Sequence, residues 1–209
     1  METSEIAHLL RPFVELEPDQ LRQVSIHLDL LLKWNSKVNL TSVRQPQEII
    51  TRHFGESFFA AKQLMNPQST DAVVDLGSGA GFPGIPLAIF APLARTVLVE
   101  SNRKKAAFLN EVVFALKLPN ASVFGGRAES YNQNAADLVA MRAVEKFDDS
   151  MEFAVNLVKP GGRIGLMIGL AQVDHARKQA QSLEWSEPTP LPGGHSRVLL
   201  VGTKPVTVD

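Results

Sequence analysis

The sequence predicts an α/β fold: a mostly parallel, twisted, Rossmann-like sheet flanked by helices, with an N-terminal helical extension. Two observations support this prediction. From Ala72 onward, short β-rich runs alternate with helical segments, which is the pattern of βαβ units on a parallel sheet. Before that point, residues 5 to about 64 space their apolar side chains at a helical period of about 3.6 residues.

We expect a helical extension over residues 1–66, packed on the core, and an α/β domain over residues 67–209. A chain of 209 residues is too short for two substantial domains with separate cores. Within the extension, Pro18 and Pro46 mark predicted helix starts, because proline suits the first turn of a helix. The polar segment from Asn66 to Asp71 separates the two parts.

The strands and helices of the α/β part follow from its β-rich and helical runs. The predicted strands are Ala72 to Leu76, Thr96 to Glu100, Ser122 to Phe124, Leu138 to Met141, Arg163 to Ile168 and Arg197 to Thr203. The predicted helices are Pro86 to Phe90, Lys104 to Leu116, Phe147 to Leu157 and Ala171 to Ser182. The tripeptide Pro160-Gly161-Gly162 predicts a turn directly before the fifth strand.

Composition limits the chemistry. The chain has no cysteine, which excludes disulfides, zinc–thiolate sites, iron–sulfur clusters and a thiol nucleophile, and we predict no metal site. Apolar runs stop well short of the ~20 residues of a membrane span. The N-terminus METSEIAHLL lacks the basic start of a signal peptide, so we expect a cytoplasmic protein. The net charge of −1 lies below the basic balance typical of nucleic-acid binding, although it leaves room for a local basic face.

The most informative segment is VVDLGSGAGFPGIPLAI, residues 73 to 89. A buried strand is predicted to end at Leu76, and a glycine-rich turn follows in which the backbone can approach a ligand closely. After the next strand comes Glu100, where an acid can accept hydrogen bonds from both hydroxyls of a ribose. The predicted ligand is therefore a cofactor that contains adenosine, and its candidate contacts here are Gly77, Ser78, Gly79, Gly81, Phe82, Glu100 and Ser101.

The spacing of the glycines distinguishes between adenosine cofactors. It is G-x-G-x-G, whereas dinucleotide binders carry G-x-G-x-x-G, and Phe82 stands where the third glycine of that motif would fall. This spacing favours S-adenosylmethionine. Taken alone, such a motif is as often a structural turn or another nucleotide site, but Asp75 before it and Glu100 after the next strand strengthen the assignment. Phe82 is equally compatible with core packing and with a wall of the cofactor pocket.

Two further segments follow predicted strands at the same edge of the sheet. Gly125 to Glu129 closes the third strand, where main-chain groups and the Glu129 carboxylate can meet an adenine edge; a solvated turn is equally compatible. After the fourth strand, enzymes that methylate the exocyclic amine of adenine usually carry Asn or Asp, two prolines and an aromatic residue. This chain has Arg142 there, a permanent cation that binds a phosphate or a base edge but takes up no proton.

These features indicate an acceptor that needs no general base. A ring nitrogen with a free lone pair, such as guanine N7, requires only in-line positioning against the methyl group. Methylation of pyrimidine carbon 5 generally begins with attack by a cysteine, which this chain lacks.

The sequence resembles the RsmG family, also called GidB, the ribosomal RNA small subunit methyltransferases G. The resemblance extends over nearly the whole chain and depends on a combination of motifs: W-N-x-x-x-N-L-T at Trp34 to Thr41, R-H at Arg52 and His53, D-L-G-S-G-A-G-F-P-G-I-P-L-A at Asp75 to Ala88, E-S with K-K-x-x-F-L at Glu100 to Leu109, R-A-E at Arg127 to Glu129, and R-A at Arg142 and Ala143.

The resemblance implies a class I methyltransferase fold and N7 methylation of the guanine at position 527 of 16S ribosomal RNA, with S-adenosylmethionine as donor and the 16S RNA or 30S particle as partner. We expect a monomer. The resemblance implies cofactor contacts from Gly77, Phe82, Ala128, Glu129 and Arg142, with Arg142 as the catalytic candidate. The RNA-contact candidates are Arg127, Arg142 and Arg197.

The chain departs from the family pattern at three positions. Glu56 replaces the aspartate of H-x-x-D-S, Met141 replaces a serine, and Ile168 stands where a lysine usually ends strand five. The missing lysine removes a cation that the family has near the cofactor or the RNA.

Other interpretations of single residues remain open. Trp34, Asn35, Asn39 and Thr41 suit the end and cap of a helix, and His53 has no partner at metal-ligand spacing. The Arg103-Lys104-Lys105 run suits a solvated helix face. Alternative functions are a methyltransferase for another RNA or a small molecule, an NAD-type reductase on the same fold, and a noncatalytic ribosome-binding module.

Overall fold

The computed structural model describes residues 1–131, 136–143, 147–194 and 196–206. Within these ranges, eight strands form one sheet: β1 (Ala72–Leu76), β2 (Arg95–Val99), β3 (Ala121–Phe124), β4 (Ala136–Arg142), β5 (Val158–Gly169), β6 (Glu184–Trp185), β7 (Thr189–Pro190) and β8 (Arg197–Thr203). The α-helices of the same ranges are α1 (Thr3–Leu10), α2 (Pro18–Asn35), α3 (Pro46–Ile49), α4 (Glu56–Leu64), α5 (Gly84–Phe90), α6 (Arg103–Ala115), α7 (Phe147–Leu157) and α8 (Val173–Gln179).

The sheet has the strand order β3-β2-β1-β4-β5-β8-β6, and β7 also pairs with β8. Strands β1 to β5 run parallel, whereas β8 is antiparallel to β5. The strand order reverses at β1, because β2 and β3 lie on one side of it and β4 and β5 on the other. The carboxyl ends of β1, β2 and β4 therefore meet at the point where open α/β sheets bind ligands.

Helices cover both faces of the sheet. Helix α2 buries Val24, Leu28 and Leu31, the apolar stripe of its helical repeat, and these side chains belong to one core cluster with α4, α5 and α6. A second cluster on the other face combines α7 and α8 with residues of β4, β5 and β8. The N-terminal helices thus share a core with the parallel sheet. Among the described residues, no helix is both long enough and apolar enough to cross a membrane.

The predicted α/β architecture is confirmed, and most element ends lie within two residues of their predicted positions. The predicted turn at Pro160-Gly161-Gly162 is wrong, because β5 begins at Val158 and runs through the tripeptide. A shift in register against β4 absorbs the extra residues. The tripeptide also pairs with the chain after β8: Gly161 N donates to Lys204 O at 2.7 Å, and Lys204 N donates to Gly162 O at 3.0 Å.

The last predicted helix is also too long. It ends at Gln179 rather than Ser182, because the chain turns there into β6 and the Trp185 indole donates a hydrogen bond to Ala180 O at 3.0 Å. Strands β6 and β7 were not predicted. Each has only two residues, which is too short to give a periodic pattern.

Gly84 fixes the start of α5 against the end of β1. Its N–H donates to Asp75 Oδ2 at 3.0 Å, so the buried carboxylate takes up one of the free N–H groups of the first helical turn. A Cβ at this position would lie 2.5 Å from Asp75 Oδ2 and closer still to Leu98 Cδ2. Strand, carboxylate and helix can approach one another only because residue 84 has no side chain.

We predict that Gly84→Ala lowers the free energy of unfolding by about 2 kcal/mol or more, because the added methyl group overpacks a fully buried site. Chemical denaturation of both proteins measures the change. The matched control is Gly125→Ala, where the new Cβ meets Ala106 Cβ at an ordinary 3.6 Å. Equal stability of the two variants would contradict this account of Gly84.

Candidate active site

A cleft of about 870 Å³ opens at the carboxyl ends of the parallel strands. Its floor is formed by residues that follow β1, β2, β3 and β4, and residues 40–43 of the N-terminal part lie along it. The cleft is lined by these predicted site residues: Gly77, Ser78, Gly79, Phe82, Glu100, Ser101, Arg127, Ala128, Glu129, Arg142 and Arg197. Gly81 does not line the cleft and lies behind the turn. The sheet topology thus brings residues from distant parts of the sequence to one edge.

The glycine-rich turn after β1 needs glycine for two different reasons. Gly79 has a φ of 57°, which favours glycine, and a Cβ there would meet only Gly77 O at an ordinary 3.7 Å; its backbone presents no side chain toward the cleft. Gly81 has a φ of 89°, and a Cβ there would lie 2.8 Å from Ile85 Cγ1 and 3.3 Å from Leu109 Cδ2. Gly79 therefore leaves room for a ligand, whereas Gly81 lets α5 and α6 pack closely beneath the turn.

The Glu100 carboxylate is held rigidly at the rim of the cleft. It is 6% exposed, Gly79 N donates to Oε2 at 2.9 Å, and Asn102 N donates to Oε1 at 2.7 Å. A carboxylate oxygen has two lone pairs, so each oxygen keeps one for a further donor. The carboxylate is oriented in advance to accept two hydrogen bonds from neighbouring hydroxyl groups.

Asp75 lies completely buried under the same turn. Burial raises the pKa of its carboxyl group from 3.8 to about 7, although the nearby Ser78 side chain and the hydrogen bond from Gly84 oppose this shift. Oδ2 accepts the Gly84 N–H, while Oδ1 has no hydrogen-bond partner among the described residues. A fully buried polar atom without a partner marks a place where an ordered water is expected.

His27 of α2 supports the glycine turn from below. Its ring is fully buried, stacks on Phe82 with ring centroids 5.2 Å apart, and places Nε2 3.0 Å from Ala80 O. A carbonyl oxygen only accepts, so Nε2 carries the proton. Burial lowers the pKa of His27 to about 4, against the effect of the Ala80 hydrogen bond, and the ring is neutral at physiological pH. The N-terminal part therefore shapes the turn directly.

Phe82 combines core packing with a position at the wall of the cleft. It lines the cleft with 7% exposure, and it packs against His27, His53 and Phe54.

The segment after β3 also lines the cleft, and Ala128 begins a short 3-10 turn there. Arg127 and Glu129 are exposed there and line the cleft.

Two arginine candidates converge on one carboxylate, Glu56, which is 1% exposed. Arg197 Nε donates to Glu56 Oε1 at 3.0 Å, and Arg142 Nη2 donates to Glu56 Oε2 at 3.0 Å. Arg142 also donates to Arg52 O at 2.9 Å and to His53 O at 3.3 Å. Burial lowers the pKa of Arg142 to about 10, with Glu56 opposing the shift, and the side chain remains a cation.

His53 lies between this cluster and the loop that borders the cleft. Its Nδ1 is 3.2 Å from Arg142 Nη2, and its Nε2 is 2.7 Å from Thr41 Oγ1. Burial, followed by the charge of Arg142, lowers the pKa of His53 to about 3.

Asn35, at the end of α2, shapes the loop that contains Thr41. Its Oδ1 accepts the N–H groups of Leu40 and Thr41 at 2.9 and 3.0 Å.

Sequence reasoning did not identify His27 or Glu56 as parts of the site. His27 gives one signal, because it is a polar residue on the apolar stripe between Val24 and Leu31. The signal for Glu56 is that it keeps an acid at the aspartate position of the family motif H-x-x-D-S. Its partners Arg142 and Arg197 lie 86 and 141 residues away, so no local pattern relates them.

A profile of the GidB family, described as rRNA small subunit methyltransferase G, matches residues 20–194. The chain belongs to this family. Proteins called ribosomal RNA small subunit methyltransferase G resemble it closely. The protein from Desulfitobacterium hafniense is 40% identical over 154 residues, which are 71% of this chain and 63% of that protein. The one from Nitrosomonas europaea is 46% identical over 132 residues, 63% of this chain and 60% of that protein.

The alignments thus cover about three fifths of the length of these relatives. The protein of the same name from Listeria monocytogenes aligns over more of its length: 34% identity over 173 residues, 80% of this chain and 72% of that protein.

Solved structures show the same fold at low sequence identity. A SAM-dependent O-methyltransferase from Thermotoga maritima superposes with a TM-score of 0.60 at 18% identity, over 86% of this chain and 72% of that one. M. jannaschii TYW2 in complex with AdoMet gives 0.55 at 18% identity, over 70% of this chain and 74% of that one. The fold is therefore that of the Rossmann-like SAM-dependent methyltransferases.

We predict that Glu56→Gln lowers the free energy of unfolding by about 3 kcal/mol, because it leaves the nearly buried Arg142 and the partly buried Arg197 without their shared counter-charge. Urea denaturation measures this change. The matched control is Glu48→Gln, since Glu48 pairs with Arg52 at 3.4 Å but both side chains are well exposed. We expect that control to change stability by less than about 1 kcal/mol. A similar small effect for both variants would exclude a buried charge cluster.

The lowered pKa of His27 predicts a pH dependence of stability. Folded His27 stays neutral down to about pH 4, whereas in the unfolded chain it takes up a proton below about pH 6.5, so its contribution to stability decreases as the pH falls. From pH 7.5 to pH 5 the native protein should lose about 2 kcal/mol more than His27→Gln does. The control is the exposed His8→Gln, which should follow the native protein. Parallel stability curves for all three proteins would refute the assignment.

Proposed function

We propose that this chain transfers a methyl group from S-adenosylmethionine to N7 of a guanine in 16S ribosomal RNA, at the position that the family resemblance gives as 527. Family membership and the names of the relatives support a ribosomal RNA substrate. The observation that carries the choice of acceptor is the set of ionisable groups at the end of β4, none of which is prepared to remove a proton from a substrate.

That set consists, among the described residues, of Arg52, His53, Glu56, Arg142 and Arg197. The carboxylate that pairs with Arg142 and Arg197 lies buried between these two cations, and His53 has a pKa of about 3. Proton removal near neutral pH requires a group with a pKa near the working pH. Guanine N7 presents a free lone pair, so an enzyme that acts on it needs to align the base and needs no base catalyst.

The residues around the glycine turn fit S-adenosylmethionine. Gly79 carries no side chain that could obstruct the ligand, and the two free lone pairs of the Glu100 carboxylate match the two ribose hydroxyls. When bound, this cofactor supplies the methyl group on a positively charged sulfur. Ser78, Phe82, Ser101, Ala128 and Glu129 also line the cleft and are further proposed contacts of the cofactor.

Arg142 is the proposed catalytic residue. Its guanidinium donates to Glu56 and to two main-chain carbonyls, so it stays fixed while a substrate binds. A fixed cation in the cleft holds an incoming base or phosphate in one position without any reorganisation during the reaction. Arg197 shares Glu56 with it, and Arg127 extends the positive lining toward β3. These three arginines are the proposed contacts to RNA.

The direct test incubates the protein with methyl-labelled S-adenosylmethionine and either 30S particles or naked 16S RNA, followed by mapping of the modified base. We expect label on N7 of one guanine. Label on an adenine or cytosine would replace the proposed acceptor. Label on no RNA, together with intact cofactor binding, would favour a noncatalytic ribosome-binding module or a methyltransferase for a small molecule.

We predict that Glu100→Ala weakens S-adenosylmethionine binding about tenfold or more, because two hydrogen bonds from the ribose hydroxyls to a charged acceptor are lost. Isothermal titration calorimetry measures the dissociation constant. The matched control, Glu187→Ala, removes an acid that is 95% exposed and should bind the cofactor like the native protein. An unchanged affinity of Glu100→Ala, or tight binding of NADH instead, would remove this part of the proposal.

A further inference from the structure

A chain of hydrogen bonds leads from the buried carboxylate of Glu56 to the cleft. It runs through Arg142 to His53 Nδ1 at 3.2 Å, and from His53 Nε2 to Thr41 Oγ1 at 2.7 Å. Each member constrains the direction of the next bond, because guanidinium groups only donate and carboxylates only accept. The direction of the last bond can therefore be worked out from the first.

Arg142 determines which nitrogen of His53 carries the proton. Arg142 Nη2 lies 3.2 Å from Nδ1 and can only donate, so Nδ1 must face it with its lone pair and not with a proton. Neutral imidazole has one N–H, which must then be on Nε2 and is donated to Thr41 Oγ1. Burial favours the neutral ring, and a second proton would in addition face the guanidinium of Arg142.

The same reasoning fixes the role of the Thr41 hydroxyl. Its oxygen accepts from His53 Nε2 at 2.7 Å and from Val43 N at 3.1 Å, so both of its lone pairs are in use. Its own proton has no acceptor among the hydrogen bonds of the described residues. Thr41 lines the cleft, and its hydroxyl is left as a donor that can accept nothing more.

Thr41 lies in the half of the cleft opposite the proposed cofactor site. Glu100 and Ala128 follow β2 and β3, whereas His53 and Thr41 are tied to Arg142 at the end of β4. Because β1 separates these strands in the sheet, a cofactor on Glu100 leaves the Thr41 half for the methyl acceptor. The two halves adjoin at Phe82, a proposed cofactor contact whose ring centroid is 5.2 Å from that of His53.

We infer that Thr41 is a specificity-determining residue that donates a hydrogen bond to the carbonyl oxygen O6 of the target guanine. This inference rests on the proposed function and names the group that reads the base. The N7 edge of guanine carries two acceptors, N7 and O6, whereas adenine has an amino donor in place of O6. A hydroxyl restricted to donation pairs with guanine and leaves two donors facing each other with adenine, which disfavours adenine.

The test compares Thr41→Val with Thr41→Ser on 16S RNA that carries either guanine or 2-aminopurine at the methylated position. 2-Aminopurine keeps the ring nitrogens and the 2-amino group of guanine but has hydrogen in place of O6. Methyl transfer is measured as kcat/KM, and cofactor affinity is measured separately by calorimetry. Thr41→Ser retains the hydroxyl and serves as the matched control.

On guanine RNA we expect Thr41→Val to lower kcat/KM by roughly tenfold or more, and Thr41→Ser to remain within about threefold of the native protein. The native protein should prefer guanine to 2-aminopurine by a similar factor, and Thr41→Val should lose that preference. The quantity to compare is the preference of the native protein divided by that of Thr41→Val. A general loss of activity from a disturbed loop does not affect this quotient, and any intrinsic difference in N7 reactivity between the two bases cancels in it. Cofactor affinity should not change.

An undiminished preference for guanine in Thr41→Val would overturn the inference and leave the proposed function intact. So would a loss in Thr41→Ser as large as that in Thr41→Val. Absence of methylation by the native protein on any RNA would instead refute the proposed function, and the inference with it.

Discussion

The Glu56 carboxylate, buried between the guanidinium groups of Arg142 and Arg197, joins three separate parts of the chain at the end of the sheet. Glu56 begins α4, Arg142 ends β4 and Arg197 begins β8. Each of these charges would be costly to bury alone, so the cluster is stable only when all three segments are in place. Two cations share one anion, and the excess positive charge lies beside the cleft. The helical N-terminal part is thereby coupled to the sheet through electrostatics as well as through the shared apolar core.

The segment between α3 and α4 is suited to this cluster. Residues Ile50–Gly55 form a π-helical segment, in which the wider turn changes which carbonyl groups are used within the helix. The carbonyl oxygens of Arg52 and His53 both accept hydrogen bonds from Arg142. The same segment places the His53 ring between Arg142 and Thr41. This π-helical segment thus holds Arg142 in place. Through His53 it also connects Arg142 to Thr41 in the loop at the rim of the cleft.

The sequence predicted the parts of the fold that depend on local periodicity and on glycine motifs. The parallel strands, the glycine turn after β1 and the acid after β2 all gave short-range signals. The sequence did not reveal that β5 passes through Pro160-Gly161-Gly162, because pairing with the chain after β8 overrides the turn preference of the tripeptide. It also did not reveal Glu56, since both of its partners are distant in sequence. His27 escaped notice because Ala80 O, the group that gives it a role, is a main-chain atom 53 residues away.

Net charge was the one compositional argument against an RNA substrate, and the distribution of charge weakens it. The cleft is lined by five cationic side chains, those of Arg52, Lys105, Arg127, Arg142 and Arg197, and by the three acids Glu100, Glu129 and Asp149, although the whole chain carries −1. A phosphate backbone within the Debye length of about 8 Å responds to this local excess rather than to the sum over the protein. Arg197 pairs in register with Gly169, so it also brings a cation to the end of β5, where Ile168 replaces the lysine of the family pattern.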